Sequence, residues 1–353
     1  MKSKFMEGKT GKWIKRIVVI LIVVGLLAFG AYKLFLNKSY NVEKTAKETL
    51  DNLTSYYMEA NMEFFKGEDS RKYDIKISYQ KGTDTDLYKV SMYDKAALQE
   101  QMIIKNSDGV FVLTPALNQV YRFKGDWPLN GHKPYLYQSM IETMQQNCDI
   151  SKIDEGYLIV STPDFKNMPS WSRQEMKLTK EYKPEWVHIY DTNNDPAVKI
   201  SFSKVEFNPS FATNYFNVDS NMEEAKKNLT TPSSSTVYEL PCYPTNADVD
   251  SIIKEVSNIV VDNVNQTMLT YSGKQSFTIL ESLSKANKEV VVSEINGEIV
   301  DIYGICGYVT KNGNINKLHF TMNGINYEIW SNTESVATLI EVASGMENGA
   351  EVK

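Results

Sequence analysis

Between Tyr56 and Phe207 apolar and polar residues change places almost one by one. Tyr56, Met58, Ala60, Met62 and Phe64 alternate with Tyr57, Glu59, Asn61, Glu63 and Phe65, the period of two of a half-buried strand. Tyr73, Ile75, Ile77 and Tyr79 repeat the pattern against Lys72, Asp74, Lys76 and Ser78. The same reading predicts strands over 87–93, 101–105, 110–114, 119–123, 157–161, 174–179, 186–190 and 197–207. Asn106-Ser107-Asp108-Gly109 and Pro115-Ala116-Leu117-Asn118 supply turns between them. The period shifts to helical spacing twice. Val42, Ala46, Leu50 and Leu53 share one face over 41–54, and Leu136, Met140 and Met144 do so over 134–146, behind Pro134. The elements predict an α+β domain over 41–217: a long, curved antiparallel half-barrel sheet with helices covering one face.

A change of character follows. Residues 218–236 read as a linker, with a short helix over 222–229 and then Thr230-Thr231-Pro232-Ser233-Ser234-Ser235-Thr236. A second, small α+β hairpin domain is expected over 237–345, with a helix at 248–256 and strands at 267–271, 276–280 and 289–295. Three Asn-Gly pairs, at 296–297, 312–313 and 323–324, predict type I′ hairpin turns, which need two residues at φ > 0. Asn332 or Thr333 is expected to cap a last helix, whose Val336, Leu339, Ile340 and Ala343 share a face.

The N-terminus breaks both periods. Residues 17–36 read IVVILIVVGLLAFGAYKLFL, interrupted only by Lys33 near the end. Twenty residues at about 1.5 Å each span about 30 Å, the thickness of the bilayer's hydrocarbon. Lys2, Lys4, Lys9, Lys12, Lys15 and Arg16 precede the run against a single acid, Glu7. The positive-inside rule then places a basic tail, 1–16, in the cytoplasm and the bulk of the chain outside. The expected topology is single-pass in the cell membrane. A cleaved signal peptide, cut near Ala28-Phe29-Gly30, is the competing reading; the run is long for one and continues past that point. No cysteine follows the run before Cys148, so lipid attachment there is excluded.

Charge changes the picture outside the anchor. The chain carries 38 Lys and Arg against 44 Asp and Glu, and residues 1–38 hold eight of the bases and one of the acids. The remainder has 30 bases and 43 acids, a net of −13, which argues against nucleic acid as a partner. Cys148, Cys242 and Cys306 are far apart and in no metal-ligand spacing, so at most one disulfide forms. They are expected as small buried residues, with a Cys242–Cys306 bridge as the alternative.

Candidate chemistry is sparse. His132 falls in a loop, and His188 and His319 in strands, where a satisfied structural histidine is the default. There is no nucleophile motif, no H-E-x-x-H, no P-loop and no G-x-G-x-x-G. Asp84 and Asp86, or Asp191 and Asp195, lack the ligand spacing of a calcium loop and read as turn residues. No catalytic, cofactor or metal residue is therefore assigned, and the chain is not read as an enzyme. Methionine placement is more suggestive. Met58, Met62, Met92, Met140 and Met144, with Ile75, Ile77 and Val90, form a candidate apolar groove on the sheet's covered face. The alternative is an ordinary core.

Several of these stretches carry a resemblance. The amphipathic helix, the strand at 56–65, the run Asn106-Ser107-Asp108-Gly109-Val110-Phe111-Val112-Leu113-Thr114-Pro115 and Trp127-Pro128 resemble the LolA/LolB-like lipoprotein-carrier fold. The likeness is to its Gram-positive sporulation and germination branch (YdcC/GerS-like), over about 41–217. Tyr271-Ser272-Gly273 with Phe277-Thr278-Ile279, Asn323-Gly324-Ile325-Asn326-Tyr327 and Leu339-Ile340-Glu341-Val342-Ala343-Ser344 resemble the small DUF4367 domain. The resemblance implies an unclosed barrel with helices over its mouth. It also implies a partner: an acyl chain in LolA relatives, or a cell-wall amidase in GerS relatives. This chain lacks the anchoring cysteine of those lipoproteins, which puts a shuttling role in doubt. The function expected is a membrane-anchored, extracytoplasmic, non-enzymatic binding protein, acting on an envelope or spore-cortex protein or an apolar ligand. A transmembrane sensor or anti-sigma-like regulator is the alternative.

Overall fold

A computed structural model describes residues 18–27, 29, 42–67, 69–125, 127–128, 131–146, 148–229, 240–246, 251–261 and 263–346. The molecule is mostly sheet with few helices. After helix α1 (residues 42–51) come β1 (Ser55–Lys66), β2 (Asp69–Gln80), β3 (Leu87–Asp94), β4 (Gln99–Asn106), β5 (Gly109–Thr114) and β6 (Gln119–Phe123). Helix α2 (Tyr137–Met144) precedes β7 (Cys148–Ile153), β8 (Gly156–Ser161), β9 (Trp171–Thr179), β10 (Pro184–Asp191) and β11 (Pro196–Phe207). Then follow α3 (Val218–Lys227), β12 (Ser251–Val261), β13 (Val264–Gly273), β14 (Thr278–Leu283), β15 (Val291–Ile295), β16 (Glu298–Ile302), β17 (Ile305–Asn312), β18 (Ile315–Met322), β19 (Ile325–Ser331) and α4 (Val336–Gly345).

The strands form two sheets. The first has twelve strands in the order β15-β6-β5-β4-β3-β2-β1-β11-β10-β9-β8-β7, and the second has seven, β12-β13-β14-β19-β18-β17-β16. Every pairing is antiparallel except β15 with β6, by which the first sheet takes its last strand from the C-terminal part of the chain.

The alternation seen in the sequence sets the two faces of the first sheet. On its inner face Met58 lies opposite Ile77, then Val90, Ile103, Val112 and Tyr121 on successive strands. A second row runs Ala60, Ile75, Met92, Gln101. Above these rows an aromatic ladder crosses the sheet. Tyr56, Tyr79 and Tyr88 are direct cross-strand neighbours with centroids 5.1 Å apart at each step. Tyr137 of α2 closes one end at 5.9 Å and Trp127 the other at 5.8 Å. All five are buried. Helix α2 completes the cover: Tyr137, Met140, Ile141 and Met144 join this core. The outer face is smaller. Met102, Ile104, Phe111, Leu113 and Val120 meet Met222 and Ala225 of α3 there. Asn217 caps α3 through its side chain, which accepts from Ser220 N–H.

The second sheet rests on the first along a polar and aromatic seam. The Arg71 guanidinium donates Nε–H to Asp94 Oδ2 at 2.8 Å and contacts Met322 Sδ at 3.2 Å. Tyr73 donates to the Tyr303 carbonyl, Lys66 to Ser344 Oγ, and Cys306 N–H to Gln101 Oε1. Tyr303 and Gly304, at φ +50° and +90°, turn β16 into β17. A Cβ on Gly304 would stand 2.3 Å from the Tyr73 ring, so only glycine fits this approach.

Several expectations change. Over its described part, 251–256, the predicted helix at 248–256 is instead strand β12, because Ile252, Ile253, Val256, Ile259, Val260 and Val261 favour an extended pairing with β13 over helix. The Asn296-Gly297 pair makes no hairpin: β15 leaves for the first sheet and β16 starts the edge of the second. At Asn312-Gly313 the turn sits one residue later, with Asn312 paired to Ile315 and Gly313 alone at φ +60°. Only Asn323-Gly324, at φ +52° and +76°, turns as predicted. Strand β7 was not anticipated, and Ser335, not Asn332 or Thr333, caps α4. All three cysteines are free, Cys242 and Cys306 buried, so the alternative bridge does not form. Residues 18–27 are helical with exposed apolar side chains. Among the described residues no helix is long and apolar enough to cross a membrane; the expected basic tail, 1–16, and positions 17, 28 and 30–36 of the expected anchor lie outside them.

The Arg71–Asp94 pair carries a prediction. Both side chains are under a tenth exposed. Arg71→Met strands a buried carboxylate, and the loss expected is about 3–5 kcal/mol. Urea unfolding of the detergent-purified chain measures it; a loss below about 1 kcal/mol would show that the pair is not a stabilising feature of this edge of the first sheet.

Candidate binding cleft

The two inner-face rows do not end in core. At the β4–β6 end they run out from under α2 and meet the second sheet across a cleft of about 410 Å³. That volume lies within the range of small-ligand sites, about 300–1,000 Å³. The first sheet contributes Gln101, Val112, Thr114, Tyr121 and Phe123. The second contributes Tyr308, His319 and Glu328, which are direct cross-strand neighbours on β17, β18 and β19.

The floor is aromatic. Tyr308 lies 5.2 Å from Tyr121 and 5.8 Å from Phe123, and stacks on the His319 ring at 4.6 Å and 12°. The wall is polar. His319 Nδ1 is 3.6 Å from Glu328 Oε1, and its Nε2 is 3.3 Å from Thr310 Oγ1. Lys317 donates to Glu328 Oε2 at 2.9 Å. The hydrogen bond with His319, followed by that from Lys317, holds the Glu328 carboxyl down at about 2. Burial raises the Tyr121 and Tyr308 hydroxyls. Gln266 Oε1, also on the cleft, is buried and has no hydrogen-bond partner. The cleft therefore offers an apolar ring platform beside a fixed anion and one unspent amide oxygen, that of Gln266. Thr310, His319 and Glu328 follow the order of a nucleophile, base and acid, but these contacts are long and lie along a sheet whose amides are tied into ladders.

The structure places the eight sequence-predicted groove residues elsewhere. Met58, Met62, Ile75, Ile77, Val90, Met92, Met140 and Met144 are each at most 2% exposed, packed between sheet and α2. They form one cluster, as expected, but the protein's own side chains fill it. Met62 borders a cavity of about 60 Å³ with Phe64, Lys133, Phe165, Trp171 and Asp301, far below ligand size. Burial there raises the Asp301 carboxyl to about 6 and lowers the Lys133 ammonium.

The histidines divide. His132 is enclosed against Gln174 Oε1 at 2.7 Å, and burial pushes its imidazole down to about 4. His188 stacks on Trp186 at 4.3 Å, a structural role. His319 is the one in the cleft. Asp191 accepts from the Asn193 and Asp195 amides and Asp86 from Gly82, the turn chemistry expected of them. No group of metal-ligating side chains assembles among the described residues.

The chain is a homologue of the sporulation protein YdcC of Bacillus subtilis (strain 168), 26% identical over 332 residues that cover 93% of this chain and 96% of that protein. This agrees with the resemblance read from the sequence. No family model matches the chain. Among solved structures, an outer membrane lipoprotein-sorting protein domain of Vibrio parahaemolyticus aligns over 53% of this chain and 99% of that one, at 14% identity and a TM-score of 0.34. The structure of the Clostridioides difficile CwlD amidase with the GerS lipoprotein aligns over 49% and 94%, at 16% identity and a TM-score of 0.25. At those scores neither bears on activity.

Two titrations are expected to show in stability. His132 binds its proton less readily folded than unfolded. Stability should therefore fall as pH drops from about 6.5 to about 4, and H132Q should flatten that limb. Glu328 is depressed, so its contribution is full above about 4.5 and is lost as pH falls towards about 2. E328Q should flatten only this lower limb. Thermal unfolding from pH 8 to 2 checks both; unchanged slopes in either variant contradict its assignment.

Proposed function

We propose that this chain is a non-enzymatic binding protein of the cell envelope that works in sporulation by holding a partner protein at the cleft between its two sheets. The observation that carries the reading is the homology to sporulation protein YdcC, which spans nearly the full length of both chains. The first sheet is read as a LolA-like half-barrel over 41–217, and residues 237–345 as a DUF4367-like unit that closes its open end. Residues 17–36 are read as an uncleaved anchor, with 1–16 in the cytoplasm and the rest outside, the side on which an acidic surface keeps a tethered domain soluble.

A protein partner is favoured over an acyl chain. The inner face, where an acyl chain would lie, is occupied by Met58, Ile77, Val90 and the aromatic ladder. The open cleft is half polar and carries a charged carboxylate, which suits side chains and backbone amides better than hydrocarbon. The sequence resemblance to the germination branch makes a cell-wall amidase the first partner to test.

The experiment is crosslinking and capture of the tagged, full-length chain from the membranes of sporulating cells. The native chain should retain an envelope protein, and the pair H319A/Q266A should retain it at least about tenfold less, with the fold intact by circular dichroism. Equal capture by the variant would overturn the cleft as the site. Recovery of the native chain in the soluble cytosolic fraction would overturn the anchored topology.

A further inference from the structure

Among the described residues one edge of the second sheet is bare. Strand β12 is an outermost strand, eleven residues long, and pairs only with β13 among the described residues. Its Ile252 and Val260 are 64% and 67% exposed, and Ile253, Val256 and Val261 more than 40%. The opposite edge, β16, is buried at Ile299, Val300 and Ile302. Edge strands are usually blunted by charges, prolines or short length, because their free N–H and C=O groups template another strand. Here such devices are confined to one end of the strand: the charged side chains of Lys254 and Glu255, and a bulge at Lys254, between Ile253 and Glu255. Beyond it Glu255 to Val261 runs in unbroken register against β13.

We propose that this edge pairs with the same strand of a second copy, antiparallel about a two-fold axis through Asn258. The pattern of the segment itself favours a second copy. A two-fold axis perpendicular to a sheet keeps each face on its own side, so residues meet only residues of the same face. Few registers then exist. An axis at Glu255 sets two glutamates face to face, and one at Val256 runs into the bulge. An axis at Ser257 or Ile259 sets a valine against Asn258. The axis at Asn258 places Val256 of each copy opposite Val260 of the other, and Ser257 opposite Ile259. No like charges meet. Asn258 meets itself, and a carboxamide carries both donor and acceptor, so the two complement each other. A strand meant for an unrelated partner has no need of this symmetry. The assignment does not rest on the cleft or on the sporulation role.

The test is cysteine crosslinking and mass measurement on the full-length chain in detergent. Facing residues across an antiparallel pair have Cα atoms about 4.5–5.5 Å apart, within disulfide reach. N258C should therefore join two copies through a disulfide. E255C, displaced by about 20 Å from its own mate, should not. The native chain should sediment as a dimer at micromolar concentration. V256K/V260K, which sets lysines opposite lysines, should raise the dissociation constant at least about tenfold with its circular dichroism unchanged. A native chain that sediments as a monomer overturns the proposal, as does a dimer that V256K/V260K leaves intact or that E255C crosslinks instead of N258C, whose native side chain also accepts from Thr267 Oγ1 at 3.0 Å within its own copy. A strand kept for another protein's strand, or for a lipid surface, would give the monomer.

Discussion

The ladder of five rings across the inner face is the constraint from which the rest follows. Tyr56, Tyr79 and Tyr88 are stacked by cross-strand pairing, and α2 and Trp127 lock its two ends. Aromatic pairs of this kind contribute about 0.5–1.5 kcal/mol each beyond the area they bury. More important here is the volume they occupy. With the methionines beside them they fill the space under α2. The open part of the inner face is pushed towards β5 and β6.

That displacement gives the second sheet its role. A seven-stranded sheet with α4 on one face needs no further cover for that face. Its other face is polar, bearing His319, Glu328, Asn326 and Gln266, and this face is turned towards the first sheet. The two are fastened by groups that cannot slide: a buried guanidinium, backbone bonds to Gln101 and Tyr73, and a glycine turn pressed on a tyrosine ring. The parallel pairing of β15 with β6 adds a main-chain seam. The cleft is thus a product of assembly. Neither sheet holds it alone, and its charge pattern is set by strands from one and its ring platform by both.

Much of the binding wall was nonetheless written in local signals. The Asn323-Gly324 turn pairs Met322 with Ile325, and counting outward from it brings His319 opposite Glu328. The next turn shows how sensitive such counting is. A hairpin closed at Asn312-Gly313 would have set Cys306 against His319. The turn actually begins at Gly313, and the register moves by two residues, so that Tyr308 takes the place beside the imidazole. The eight residues read as an apolar groove are buried core, six from strand alternation and Met140 and Met144 from helical spacing, and either period reports only that a face is covered. It cannot distinguish cover by a ligand from cover by Tyr137 and Trp127, which come from a helix and a loop far along the chain.

Sequence alone settled the largely antiparallel first sheet, the helices at 42–51 and α2, and the core membership of its apolar positions, because these rest on periods of two and 3.6 that neighbouring residues carry themselves. It also settled kinship with a sporulation protein. Tertiary structure decided where β15 pairs, that 251–261 is strand, that the cysteines stay apart, and that the open site lies between the sheets. Each of these depends on which distant surface a segment meets, and main-chain pairing or burial against that surface outweighs the small local preference for one conformation over another.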